Sequence, residues 1–249
     1  MNKTIHYCWF GQKPLPEKLQ QCIASWSELM PGWEIKRWDE TTFDVYSTMW
    51  TQGAYDAEKY AFVSDYVRLV ALYEEGGLYL DTDVKLIKSM EHLFADYDAF
   101  TCFENHQYVT SAVIAAPKHH PLIKKFLDFY KNQKFSSQIV SENEANVKMM
   151  TSVFCKYGLI LNDSDQNILT MDANGAMQRF HIFPQTYFCP LDFWHNKNFS
   201  ENTHAIHLFE ASWLDRDTHV RIMKERSNAY KVKIKLLHYL KSFISRLFV

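Results

Sequence analysis

Glycine and proline are scarce, 7 of each in 249 residues. That scarcity excludes collagen-like, linker-rich and low-complexity organisation. The five cysteines (Cys8, Cys22, Cys102, Cys155 and Cys189) are odd in number and scattered, with no Cys-x-x-Cys pair. Neither a disulfide framework nor a thiolate zinc site fits that spacing, so buried free thiols in a reducing compartment are expected. No apolar run is long enough to span a bilayer. The opening Met1-Asn2-Lys3-Thr4-Ile5 passes into a strand without a signal-peptide-like apolar stretch, which predicts a cytoplasmic protein. The formal net charge of −2 gives no general basic surface for nucleic acid, and no nucleic-acid partner is expected.

What is present is apolar and aromatic: 47% hydrophobic and 16% aromatic residues suffice for one large core. A surplus of rings is also what sugar- and base-stacking sites use. Charge is unevenly spread. From Arg221 onward there are eight Lys/Arg against one acid, Glu225, a net of +7, while the first 220 residues carry −9. Tyr230, Ile234, Leu237, Leu240, Ile244 and Leu247 recur at helical spacing among lysines and arginines. This predicts a catalytic domain over 1–220 and a basic amphipathic helix over 221–249. That helix is suited to an anionic inner-leaflet membrane surface or to packing on the core.

Ile5 to Phe10 reads as a first strand, Glu17 to Leu29 as a helix with apolar positions at Leu19, Cys22, Ile23, Trp26 and Leu29, and Trp33 to Trp38 as a second strand. A long helix over 54–75 leads through Gly76-Gly77 into a short buried strand, Leu78 to Leu80. Strands at 99–103 and 112–115 and helices at 121–130 and 143–156 follow. The stretch 164–191 reads as irregular with short strands near 181–183, and 205–209 as a last buried strand. Alternating elements of this kind predict an α/β fold around a mostly parallel sheet.

Two constellations carry chemistry. Asp81 and Asp83 stand two apart where a core strand ends, the place where open α/β sheets gather ligands. In extended backbone both carboxylates would face one hard cation, whose open positions suit diphosphate oxygens. Alone, Asp-x-Asp is more often a solvated turn. Asp65 and Arg68, three apart on the long helix, are otherwise an intrahelical pair worth about 0.2–0.5 kcal/mol. Their neighbours Ala61, Phe62, Val63, Tyr66, Val67, Leu69 and Val70 are almost all apolar, and a buried Asp and Arg need partners. A guanidinium fork beside a carboxylate suits sugar hydroxyls and phosphate oxygens.

The run Ala61-Phe62-Val63-Ser64-Asp65-Tyr66-Val67-Arg68, then Leu72 to Val84 with Gly76-Gly77-Leu78-Tyr79-Leu80-Asp81-Thr82-Asp83, resembles the DXD sugar-binding region of the family 32 glycosyltransferases. It is also similar to the catalytic domain of the large clostridial glucosylating toxins. Ile5-His6-Tyr7-Cys8-Trp9-Phe10-Gly11 looks like the first strand of that family, and Ile206-His207-Leu208-Phe209-Glu210-Ala211-Ser212-Trp213 like its closing motif. The resemblance implies a GT-A-type, Rossmann-like fold and a metal-dependent, retaining hexosyltransferase. It implies Mn²⁺ or Mg²⁺ on Asp83, with Asp81 and His207 as further ligands and Glu210 as a weaker one. It implies a donor site of Trp9, Tyr7, Asp65, Arg68, Asp81, Ser212 and Trp213. UDP-galactose, UDP-glucose or UDP-N-acetylglucosamine is the implied donor, and a lipid-linked or oligosaccharide acceptor of capsule or O-antigen synthesis the implied partner. Ser111, where relatives often carry Asn, and Thr151-Ser152-Val153, where many carry Thr-Gly-Pro, depart from the pattern on the acceptor side. Two other readings stay open on sequence: a silent nucleotide-sugar-binding protein, and a metal-dependent phospho- or nucleotidyltransferase.

Overall fold

The computed structural model describes residues 2–136, 145–193, 195–210, 217 and 220–227. Most of the basic amphipathic segment, and the expected site residues Ser212 and Trp213, lie outside the described residues.

The chain opens β1 (Thr4–Cys8), α1 (Glu17–Leu29), β2 (Glu34–Trp38). Leu19, Cys22 and Trp26 recur at helical spacing and are the face α1 buries. The expected long helix is two, α2 (Met49–Asp56) and α3 (Tyr60–Glu75), because Glu58 adopts a left-handed φ of 55° and Lys59 turns back to bond the Ala54 carbonyl. The polar Asp56 to Lys59 stretch interrupts the apolar stripe at that point. Trp50 bridges the break with a 2.8 Å bond from its indole to the Phe62 carbonyl. Along α3, Phe62, Val63, Val67, Leu69, Ala71 and Leu72 are buried, so the helix is covered on most sides and Arg68 is buried with them.

Gly76 and Gly77 carry φ values of 68° and 117° and turn the chain into β3 (Gly77–Leu80). A Cβ on Gly77 would lie 2.5 Å from the Thr4 carbonyl oxygen of β1, so only glycine allows the two strands to meet there. After β3 come β4 (Val84–Leu86), α4 (Leu93–Asp96), β5 (Phe100–Asn105), β6 (Tyr108–Val109), β7 (Val113–Ala116), α5 (Pro121–Tyr130) and α6 (Ala145–Lys156). Then follow β8 (Gln166–Met171), β9 (Met177–Phe183) and β10 (Ala205–His207).

Eight strands form one sheet in the order β2-β1-β3-β7-β5-β9-β8, with β6 also on β5. β1, β2, β3, β5 and β9 run one way and β6, β7 and β8 run against them. This is the mixed α/β architecture with a mostly parallel central sheet flanked by helices that was expected. One apolar core lies under α2, α3, α5 and α6, and a second, on the opposite face, holds Tyr7, Trp26, Leu78, Leu80, Phe100, Cys102 and Cys189.

Two expectations are corrected. Within the 164–191 stretch, Gln166–Met171 and Met177–Phe183 form a regular antiparallel hairpin, paired from Gln166↔Ile182 to Met171↔Met177. Its turn is set by Asp172, whose Oδ1 accepts from the Asn174 and Ala176 amides, with Gly175 at φ 83°. The last strand stops at His207 because Phe209 turns left-handed, at φ 50°. Of the five free cysteines Cys155 is exposed and the other four are buried. No helix among the described residues is long and apolar enough to cross a membrane.

Candidate active site

The two aspartates converge through a turn rather than along a strand. The Val84 amide bonds the Asp81 carbonyl at 2.9 Å, closing Asp81-Thr82-Asp83-Val84, while the Asp81 amide bonds the Ala112 carbonyl at 2.8 Å. β4 then pairs antiparallel with β10, and the register sets His207 opposite Val84. The imidazole therefore arrives beside Asp83, with Nε2 at 3.4 Å from Oδ1. Ligand atoms of Asp81, Asp83 and His207 all lie within 4.8 Å of one another. Two carboxylates and one imidazole form a donor set that fits Mg²⁺ or Mn²⁺ and leaves positions for phosphate oxygens. The second imidazole nitrogen, Nδ1, is buried with no geometric hydrogen-bond partner among the described residues, and the Cys189 thiol acts on the ring.

Burial pushes the Asp83 carboxyl up, but His207 and the Glu210 amide, 2.9 Å from Oδ2, outweigh it and hold the group below the usual carboxylate range. Burial pulls His207 down, and the facing Asp83 then raises it well above the ordinary imidazole value. A cation bound there would compete with a proton for the same imidazole and carboxylate lone pairs. The Glu210 side chain pairs with Lys18 of α1.

Beside this triad lies Arg68, 4% exposed. Its Nη2 meets Asp65 Oδ1 at 2.9 Å and Asp81 Oδ1 at 3.4 Å. Its Nη1 donates to the Ser111 carbonyl at 2.8 Å and hydroxyl at 2.9 Å, and its Nε to the Ser64 carbonyl at 3.2 Å. Burial works against this charge, but Asp81, Tyr79 and Asp65 outweigh it and raise the guanidinium above its normal value. Tyr79 lies under the guanidinium, 4.9 Å from ring centre to carbon, and donates its hydroxyl to Asp81 Oδ1 at 2.8 Å. Asp65 Oδ1 also accepts from Asn146 Nδ2 at 3.0 Å, and the Tyr130 hydroxyl bonds the same amide at 3.3 Å. Asp65 Oδ2 has no protein hydrogen bond among the described residues, whose bonds to this carboxylate go to Oδ1. Burial pushes the Asp65 carboxyl up to about 6, against the pull of Arg68.

The structure thus brings together Asp65, Arg68, Asp81, Asp83 and His207. Trp9 stands just past the end of β1, half-buried, its indole held by the Lys13 carbonyl at 2.6 Å. Tyr7 is a packing residue: it is 9% exposed and meets Trp26 edge-on at 5.8 Å, which leaves little of its ring for a ligand. Sequence reasoning passed over Tyr79, Asn146 and Glu104. For Tyr79 the signal was available, since positions two apart in a strand share a face and Tyr79 precedes Asp81 by two. Asn146 and Glu104 had none, because their neighbours come from distant parts of the chain.

Residues 16–100 match the family described as glycosyltransferase sugar-binding region containing DXD motif. That span holds Asp65, Arg68, Asp81 and Asp83 and excludes His207. Among curated proteins, inositol phosphoceramide mannosyltransferase 3 of Schizosaccharomyces pombe is 30% identical over 125 residues, covering 49% of this chain and 35% of that protein. Subversion of eukaryotic traffic protein A of Legionella pneumophila is 30% identical over 111 residues, covering 34% of this chain and 17% of that protein. The chain therefore spans well under two-thirds of the curated relatives it matches. Among solved structures, the PaToxG glycosyltransferase aligns with a TM-score of 0.47 at 19% identity, over 62% of this chain and 68% of that one.

Proposed function

We propose that this chain, whose residues 16–100 match the glycosyltransferase sugar-binding region containing a DXD motif, is a metal-dependent retaining hexosyltransferase. In this reading it moves a sugar from a UDP-sugar to a glycan acceptor of capsule or O-antigen type. The observation that carries the reading is the meeting of Asp81, Asp83 and His207 within 4.8 Å, next to a buried Arg68 that grips Asp65 and Asp81.

Asp81, Asp83 and His207 would hold the cation, which when bound offsets the charge that gathers on the leaving diphosphate. Arg68 keeps its charge and fixes both acids in place, so the field at the reacting carbon is set before the substrate arrives. Asp65 presents its free Oδ2 to the donor sugar's hydroxyls, while Arg68 and Asn146 hold Oδ1. Trp9 would stack on the base, and Ser212 and Trp213 would close over the diphosphate. Retention follows from attack on the same face as departure, with the leaving phosphate oxygen taking the acceptor's proton. A trapped glycosyl-enzyme adduct would overturn that step. A cytoplasmic enzyme resting on the inner leaflet through the basic 228–249 segment fits a lipid-linked acceptor.

The test is donor hydrolysis by the purified chain with UDP-glucose, UDP-galactose, UDP-N-acetylglucosamine and GDP-mannose, with Mn²⁺ or with EDTA. Mn²⁺-dependent UDP release from one sugar, absent in Asp83→Ala, is the expected result. GDP release from GDP-mannose alone would replace the proposed donor. Binding without turnover across the panel, with acceptors supplied, would make the site a silent one.

A further inference from the structure

Glu104 is a carboxyl the mechanism above leaves unused. It stands near the end of β5, and β1, β3 and β5 run the same way, so it reaches the edge of the sheet where Trp9 and Asp81 also emerge. Thr110 Oγ1 donates to Glu104 Oε2 at 3.3 Å and accepts from the Ala112 amide at 3.1 Å. Ser111 takes Arg68 through its carbonyl and hydroxyl, and the Ala112 carbonyl takes the Asp81 amide. Three consecutive residues therefore hold Glu104, Arg68 and Asp81 in fixed relation. Thr110 is itself pinned, its amide to the Cys102 carbonyl at 2.9 Å and its carbonyl to the Thr101 hydroxyl at 3.1 Å.

The side from which Glu104 enters matters. Cys102 lies in the second core, on the face opposite α3 with its Asp65 and Arg68, and Glu104 sits at the bulge of β5 between Phe103 and Asn105. Cys189 and His207 are on that face and act on the Glu104 charge, as does Asp81 across the turn. Burial first, then Cys189, push the carboxyl up to about 7, against the pull of His207 and Thr110. Glu104 is half-buried, and its Oε1 has no protein hydrogen bond among the described residues. A carboxylate so placed, with one oxygen tied and one free, offers an acceptor lone pair toward the cleft.

On the reading proposed above, same-face attack sets the incoming hydroxyl beside the departing diphosphate oxygen, on the His207 side of the site. We propose that Glu104 receives that nucleophile: Oε1 accepts a hydrogen bond from the attacking hydroxyl of a glycan acceptor, or from water when the donor is hydrolysed, and aims its oxygen at the anomeric carbon. The bond from that oxygen to the anomeric carbon forms as the bond from carbon to diphosphate breaks. The electron pair leaves with the diphosphate, and the proton passes to a diphosphate oxygen, not to Glu104. Glu104 is thus a catalytic residue of the acceptor side and is not needed to bind the donor.

The experiment is steady-state hydrolysis of whichever nucleotide sugar the wild-type chain turns over, in Glu104→Gln and Glu104→Ala, alongside calorimetric binding of UDP with Mn²⁺ and thermal melting. The expected result is a kcat lowered about 100-fold in Glu104→Ala through lost positioning of the nucleophile, and by less in Glu104→Gln, whose amide oxygen still accepts, with donor KM, UDP affinity and Tm unchanged. An unchanged kcat would overturn the inference. So would a fall in kcat shared with UDP affinity and Tm, which would make Glu104 a packing residue, or a glycosyl adduct trapped on Glu104. Absence of hydrolysis in the wild type would instead overturn the transferase reading on which the inference rests.

Discussion

The site has two ends, and they are built in opposite ways. Around Arg68 every donor has a partner: Asp65, Asp81, Ser64 and Ser111 surround the guanidinium, and Tyr79 lies beneath it. Around His207 the bonding is incomplete. Among the described residues Nδ1 has no geometric hydrogen-bond partner, Phe209 holds a left-handed backbone, and the Phe209 carbonyl depends on Arg226, in the helical stretch 220–227, whose Nη1 donates at 2.8 Å. The fully bonded end is held by the fold alone. The other is held in part by what binds to it, since an unpartnered buried polar atom and a non-glycine residue at positive φ both carry a cost. On the proposed function, the sugar end would be organised in advance and the metal end completed by its ligands.

The comparison can be broken most forcefully at Arg68. Arg68→Met leaves Asp65 and Asp81 without their cation, and a loss of about 3–5 kcal/mol in denaturant-induced unfolding is expected along with loss of activity. If stability is unchanged, the Arg68 end is not the structural one. Asp83→Asn tests the other end. Turnover should drop about 1,000-fold, the several kcal/mol a positioned cation contributes, with melting shifted by only a few degrees. An unfolding as deep as that of Arg68→Met would erase the difference between the ends.

A smaller effect separates the ends by pH. Asp65 must be ionised to accept sugar hydroxyls and its carboxyl sits at about 6. Donor KM should therefore rise as pH falls through 6 and stay level above it, in kinetics at saturating Mn²⁺. Asp65→Asn should remove that dependence, and a KM indifferent to pH in the wild type would count against Asp65 as the sugar's acceptor. The smallest effect on turnover is expected from removing residues 228–249. Donor hydrolysis should persist while co-sedimentation with anionic liposomes is lost, and liposome binding that survives truncation would refute the membrane role.

Much of the Arg68 end was legible because it is local. Asp65 and Arg68 are one helical turn apart, and Gly76-Gly77 dictated where α3 must hand over to β3. The hairpin at 166–183 was readable too, since Asn174-Gly175 between alternating residues is a turn signal, yet the polar composition obscured it. The break at Glu58 was less legible, because the polar Asp56 to Lys59 stretch is only as long as one solvent-facing turn of a continuous helix.

By itself the sequence determined the α/β order, the burial of α3 and the pairing of Asp65 with Arg68, since hydrophobic period and i,i+3 spacing act within a few residues. It also determined that two acids would close β3, though a turn and not strand pleat makes them converge. Tertiary structure alone decided that His207 joins them, because the β4–β10 register places it opposite Val84, 123 residues earlier in the chain. It likewise decided that Asn146 steadies Asp65, since that contact crosses between elements whose meeting no local pattern encodes.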